Sequence, residues 1–208
     1  MKTKMIVDYI RDISASLGGI RPLVQEEVLR TLHRKKDFIG IIRHIKKEML
    51  LGMRLKIALV NHGGEPGAPA WVEIPHLMPL YGTKEFEDVL IRMYIRKSFL
   101  HDYPFETVVA VVAHELSHVV LKAIRHRLYQ VEVAVDLTAM ILGYRDFFRR
   151  GCEYSVSSKT DFQLPFLGGS LSFRGTPAYG EQIITTHRVG YLAREEVVFA
   201  ADFMDFKP

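Results

Sequence analysis

Residues 108–121 read VVAVVAHELSHVVL and are the most informative stretch of this sequence. Valine, alanine and leucine flank the polar positions on both sides, and those polar positions include His114, Glu115 and His118. A helix that is apolar nearly all round is expected to be buried. Two imidazoles and a carboxylate are costly in such a helix unless they are paired or bind a metal ion. The stretch therefore predicts a buried helix, from about 105 to 125, with a polar site on it.

The spacing of the polar residues indicates the chemistry. Residues i and i+4 share one helix face, so His114 and His118 point the same way and can grip one metal ion. Glu115 projects from an adjacent position, where it can act on a metal-bound water as a general base. The pattern predicts a zinc metallohydrolase that holds one zinc ion. The alternative, a chance match whose polar groups face solvent, is disfavoured by the apolar flanks.

A third ligand is expected, because a catalytic zinc usually takes three protein ligands and one water. The helix predicted over about 129–148 offers Glu132 and Asp136, which again share one face. We favour Asp136 as the ligand, because it lies deeper in a helix that must turn back to the level of His118. The alternative is that Glu132 binds zinc while Asp136 orients a ligand histidine. A third interpretation pairs both acids with nearby arginines: Arg125, Arg127 or Arg145.

Three segments resemble a group of largely uncharacterised bacterial proteins. Residues 114–118 (HELSH) and 132–144 (EVAVDLTAMILGY) match an HExxH motif followed by E-x-x-x-D-L and a small-residue helix. Residues 190–196 (GYLAREE) are similar to the G-Y-L-S-x-E-x segment of that group, with Ala193 in place of the serine. The resemblance covers roughly residues 110 to 205 and implies a zincin-like metallopeptidase domain. A longer, polar insert around residues 155–179 departs from the group's pattern.

The pattern along the chain predicts an α+β fold of the zincin-like class. It is mostly helical, with a small mixed or antiparallel sheet and the HExxH helix at the active site. We treat residues 1–208 as a single metallopeptidase-like domain. Residues 1–52 form its helical N-terminal part, residues 53–150 carry strands and the two site helices, and residues 151–208 are a loop-rich segment and a last helix from Ala193 to about Met204.

Several elements are predicted individually. Strands are expected at Arg54–Val60 and Ala70–Ile74, and Pro75 and Pro79 favour a sheet edge for the second strand. The helical spacing of Phe86, Leu90, Met93 and Tyr94 predicts a helix over about 85–100. Pro22 is expected in the first turn of a helix that runs to about Lys36.

Composition narrows the class of protein. Hydrophobic residues make up 48% and charged residues 25%, which is typical of a globular chain. The net charge of +4 is too small to indicate nucleic acid without a dense basic stripe. The single cysteine, Cys152, allows neither an intrachain disulfide nor a cysteine-based zinc site. We find no secretory signal and no membrane-spanning pattern, so we expect a cytoplasmic protein.

Residues outside the HExxH helix could complete the chemistry. The oxyanion of a peptidase needs a second electrophile, for which His187, Tyr179 and Tyr191 are the candidates. The strand at 70–74 could pair with an extended peptide or be an ordinary edge strand that buries Trp71. His62 and His76 are expected at the surface. We expect a peptide or protein substrate, with no nucleic acid and no membrane as partner; the oligomeric state stays open.

A competing hypothesis is a zinc-bearing regulatory or binding domain with little turnover, whose partner docks on residues 151–190. Glu115 favours the enzyme, because binding alone does not need a general base. A purely structural zinc site is less favoured, because such sites are usually closed by four protein ligands, often cysteines.

Overall fold

The computed structural model describes residues 3–206 apart from 63, 65–67, 160–181 and 189, and for residues 154–159 and 182–188 it describes the backbone alone. Within this part the fold is mixed α+β, mostly helical, with a small three-stranded sheet, which confirms the coarse prediction. The helices before the site are α1 (Thr3–Leu17), α2 (Glu26–Arg34), α3 (Phe38–Glu48), α4 (Lys84–Asp88), α5 (Lys97–Asp102) and α6 (Phe105–Ala123).

The sheet has one central strand between two edge strands. The central strand β3 (Leu90–Arg96) pairs in parallel with β1 (Arg54–Val60) and antiparallel with β2 (Ala70–Glu73). Its order is therefore β1-β3-β2. The strand β2 lies at an edge, as Pro75 and Pro79 predict, and its outer edge faces the HExxH helix α6.

The helix predicted over 85–100 is wrong. The chain instead forms the short helix α4, the strand β3 and the short helix α5. Residues Ile91, Met93 and Ile95 are fully buried, whereas Leu90 is 42% exposed, so burial here has the two-residue period of a strand. The apparent helical spacing mixed a buried residue of α4 with residues on both faces of β3.

The second helix starts later than predicted, because residues 18–25 dock on another element. The backbone N–H of Arg21 donates to the carbonyl of Ile141 at 2.8 Å, and that of Val24 donates to the carbonyl of Gly143 at 3.0 Å. These bonds hold Pro22 in an extended segment, so α2 begins only at Glu26.

The helix predicted over 129–148 is present but interrupted. It consists of α7 (Glu132–Ala139), a π-helical turn (Met140–Tyr144) and α8 (Arg145–Gly151). At the turn Gly143 has a φ of +104°, and a Cβ there would lie 2.4 Å from the carbonyl oxygen of Pro22. The close approach of residues 21–24 therefore requires a glycine at this position.

The C-terminal part contains a β-hairpin-like pair and a helix. Strands β4 (Glu153–Lys159) and β5 (Gln182–Arg188) pair antiparallel within the segment predicted to be loop-rich. Helix α9 (Arg194–Asp205) confirms the last predicted helix and packs on α8 and α1. A 2.5 Å ion pair between Arg145 and Asp205 fastens α9 to α8. In the described residues, no helix has both the length and the apolar character to cross a membrane.

Candidate metal centre

The HExxH helix α6 runs through the core, as its apolar flanks predict. Residues on both sides of the motif, such as Val112 and Val119, are fully buried. The side chains of His114 and His118 are 11% and 22% exposed, so they are mostly but not completely buried. Their rings lie 4.9 Å apart between centroids, which confirms that they share one face of the helix.

A compact turn over residues 124–131 returns the chain to the motif. Arg125 adopts the left-handed conformation, with φ of +54°. The N–H of His126 donates to the carbonyl of Leu121, and the N–H of Val131 donates to the carbonyl of Leu128, both at 2.9 Å. Because the turn is this tight, the first residue of α7, Glu132, already lies beside the histidines.

Glu132 completes a cluster of three donor atoms. Its Oε2 lies 3.3 Å from Nε2 of His114 and 3.4 Å from Nε2 of His118. Four ligands at about 2.0–2.1 Å around a tetrahedral ion stand about 3.3 Å from one another, so this spacing fits zinc. The Oε2 atom is buried and has no well-formed hydrogen bond to any described residue, which leaves its lone pair available to a cation.

Asp136 lies behind the cluster, not in it. Its Oδ1 is 2.7 Å from Nδ1 of His114, on the opposite side of the ring from Nε2. Its Oδ2 accepts the backbone N–H groups of Tyr191 at 2.7 Å and Leu192 at 3.2 Å. With both oxygens engaged and the side chain 1% exposed, Asp136 orients His114.

This geometry corrects our preference for Asp136 as the third ligand. We expected the second helix to need two turns to reach the histidines, but the turn at 124–131 places its first residue there. The geometry favours the alternative assignment, with Glu132 as ligand and Asp136 as the residue that orients His114. In the part of the chain that the structure describes, neither acid pairs with these arginines: Arg127 pairs with Asp12, and Arg145 pairs with Asp205.

Glu115 occupies a position suited to proton transfer. Burial raises the pKa of its carboxyl group to about 7, although the charge of His114 and the backbone N–H of Val72 act in the opposite direction. A general base works best with a pKa near the operating pH. The hydrogen bond from the Val72 N–H also places the outer edge of β2 directly beside Glu115. No sequence motif predicts this contact.

The charge states of the ligands are set by their neighbours in the metal-free protein. Burial alone would lower the pKa of His114, but contacts with Asp136 and Glu132 outweigh it and raise that pKa to about 10. Burial and the charge of His114 lower the pKa of His118. The His114 imidazole lowers the pKa of Glu132. These contacts thus favour the charged form of His114, the neutral form of His118 and the charged form of Glu132.

Of the three candidates for the second electrophile, the structure describes the side chain of Tyr191 alone. The Tyr191 ring stacks on His114, with centroids 5.8 Å apart and planes 20° apart, and the residue is 55% exposed. The backbone of His187 lies in β5, opposite Tyr154, and its side chain lies outside the described part. Tyr179 also lies outside the described residues.

His62 and His76 are exposed, as predicted. Trp71 is not in the core but stacks on Tyr94 on the open face of the sheet.

Comparison of the chain with protein-family models, with curated proteins and with solved structures finds no match. The function is therefore inferred from the geometry and charge of the metal centre.

Proposed function

We propose that the protein is a zinc-dependent hydrolase, and specifically a peptidase, that binds one zinc ion through His114, His118 and Glu132. The observation that carries the proposal is a cluster of three donor atoms within 4.8 Å of one another, in which Glu132 Oε2 lies 3.3 and 3.4 Å from the two histidine Nε2 atoms. A carboxyl group of raised pKa, Glu115, follows His114 on the same helix. Three protein ligands leave one position for water, which is the arrangement of catalytic and not structural zinc sites.

The reaction would divide between the ion and the protein. Bound zinc would polarise the scissile carbonyl and lower the pKa of its water ligand. Glu115 would accept a proton from that water and pass it to the leaving amine. Asp136 would hold His114 in the tautomer whose Nε2 faces the ion.

The edge strand β2 supports a peptide as substrate. An extended peptide can pair with an exposed sheet edge through backbone hydrogen bonds. The outer edge of β2 lies at Glu115, because the Val72 N–H reaches the Glu115 carboxylate. Because the Val72 N–H is already bonded to Glu115, a peptide would pair with other backbone groups of this edge, and it would then lie beside the metal centre.

The test is to compare wild type with Glu115→Gln. We expect Glu115→Gln to keep its zinc and to lose hydrolysis of casein or of a peptide library, because it removes the base and no ligand. A general acid–base residue contributes about 10²–10⁴-fold in rate, so a loss below tenfold would contradict its role. His118→Ala is the matched control that should lose both zinc and activity.

Zinc binding without hydrolysis of any library peptide by the wild type would instead favour a zinc-bearing regulatory domain. A pulldown with the Glu115→Gln variant then separates the two functions. A peptidase lacking its base should retain its substrates, whereas a regulatory partner should bind wild type and variant equally.

A further inference from the structure

The carboxylate behind the metal ligands is itself held by a distant part of the chain. We call residues Gly190, Tyr191 and Leu192 the 190–192 turn. Its two consecutive N–H groups, from Tyr191 and Leu192, donate to Oδ2 of Asp136 at 2.7 and 3.2 Å. Because Asp136 Oδ1 contacts Nδ1 of His114 at 2.7 Å, an unbroken chain of contacts joins this turn to a metal ligand.

The approach of the turn to Asp136 requires a glycine. Gly190 has a φ of +91°, which side chains of L-residues rarely adopt. A Cβ at this position would lie 3.1 Å from Oδ2 and 3.3 Å from Oδ1 of Asp136. Because both distances are tighter than most Cβ contacts, a larger residue would require the carboxylate or the turn to shift by a few tenths of an ångström.

The same turn contacts His114 a second time. The Tyr191 ring lies nearly parallel to the imidazole, with 5.8 Å between centroids. The ring of His114 is thus restrained at Nδ1 by Asp136 and on one face by Tyr191. Tyr191 belongs to the 190–192 turn, and the Asp136 carboxylate accepts hydrogen bonds from that turn, so both restraints involve it.

The C-terminal helix α9 holds the 190–192 turn in place. Leu192 is 1% exposed, and α9 begins two residues later with Val197 also buried. At its N-terminus the Glu196 carboxylate accepts the N–H of Ala193 at 3.0 Å. The position of the turn therefore depends on the docking of α9 against α8 and α1.

We infer that the 190–192 turn positions His114 for the metal, so that zinc binding and docking of the C-terminal segment favour each other. The inference rests on the proposed zinc site. With the turn in place, the buried Asp136 carboxylate has partners for both oxygens and is aimed at Nδ1. Without the turn, Oδ2 would lose the N–H groups of Tyr191 and Leu192, and these bonds would no longer hold the carboxylate against His114. By linkage, zinc must then stabilise the turn as much as the turn stabilises zinc.

The test measures zinc affinity by competition with a chromophoric chelator in wild type, Gly190→Ala and Gly82→Ala. Gly82 is a matched control, since its φ is +79° but a Cβ there would meet nothing within 4 Å. Loss of support behind a ligand costs about 10–100-fold in metal affinity, so we expect Gly190→Ala to lose that much and Gly82→Ala to stay within about twofold. A folded Gly190→Ala with wild-type affinity overturns the inference.

Two further readouts remain decisive if Gly190→Ala does not fold. Tyr191→Ala should bind zinc several-fold more weakly than wild type, because it removes the ring that stacks on His114. In the wild type, zinc should slow hydrogen exchange at the amides of Tyr191, Leu192 and α9. Unchanged exchange on zinc addition overturns the coupling. A wild type that binds no zinc defeats the proposed function as well, whereas zinc binding without coupling defeats only this inference.

Discussion

The two acids of α7 differ in position relative to the histidines, although their side chains differ by only one carbon. Glu132 places an oxygen between the Nε2 atoms of both histidines, whereas Asp136 contacts the far side of His114. The sequence predicted both acids and favoured Asp136 as the ligand, whereas the geometry favours Glu132. The ranking depends on the turn at 124–131, where Arg125 takes a left-handed conformation that no residue pattern signals.

Replacing the two acids should therefore have unequal effects. Glu132→Ala removes a ligand and should abolish stoichiometric zinc binding at micromolar zinc. Asp136→Ala should weaken binding by about 10–100-fold, since it removes only the residue that orients His114. Isothermal titration with zinc measures both. A larger loss for Asp136→Ala than for Glu132→Ala would contradict the assignment.

The raised pKa of Glu115 predicts a pH-dependent stability of the metal-free protein. The folded state holds this proton more tightly than the unfolded chain does, so the contribution of Glu115 to stability is lost as pH rises from 4.5 through about 7. Glu115→Gln keeps the shape and the contact with Val72 but carries no charge. We expect it to be more stable than wild type by about 1–3 kcal/mol near pH 8, with a smaller difference near pH 4.5.

Urea unfolding in the presence of a chelator measures this difference. Equal stability of wild type and Glu115→Gln near pH 8 would mean that Glu115 is ionised in the fold at no cost, against the burial that the structure shows.

At the scale of elements, the sequence predicted the buried helix α6 and the edge strands β1 and β2, but not the central strand β3. The apolar flanks of HELSH specified α6, and the acid pair specified α7. The central strand β3 was misassigned as helix, because a seven-residue segment with Leu90, Met93 and Tyr94 fits a helical stripe as well as an alternating one. Only the pairing of this segment with β1 and β2 shows that it is a strand and not a helix.

The π-helical turn after α7 is likewise a tertiary feature. Because Gly143 has no side chain, the backbone of residues 21–24, from the N-terminal part of the chain, can lie against it. We expect Gly143→Ala to destabilise the fold by about 2 kcal/mol or more, because the new Cβ meets the carbonyl oxygen of Pro22. Gly18→Ala, with φ of +78° and nothing within 4 Å, should cost only about 1 kcal/mol.

Urea unfolding midpoints of the two glycine variants provide the measurement. Equal midpoints would show that residues 21–24 do not press on the π-helical turn in solution.

At the scale of the whole molecule, an ion pair joins the C-terminal helix α9 to α8. Arg145 is 7% exposed, contacts Asp205 at 2.5 Å and donates to the carbonyl of Arg21 at 3.0 Å. Asp205→Asn would leave a buried guanidinium without its counter-charge, and we expect a loss of about 2–3 kcal/mol. The matched control is Arg127→Gln in the exposed pair with Asp12, which should cost less than about 1 kcal/mol.

Thermal unfolding compares the two changes. A loss for Arg127→Gln as large as that for Asp205→Asn would contradict the distinction between buried and exposed pairs.

The central claim is that His114, His118 and Glu132 hold one zinc ion, and elemental analysis of the purified chain tests it most directly. Wild-type protein prepared with zinc and then dialysed against metal-free buffer should retain about one zinc per chain, the expected content of a mononuclear site. The same preparation of His118→Ala should retain much less. Wild-type protein that retains no zinc would contradict the account.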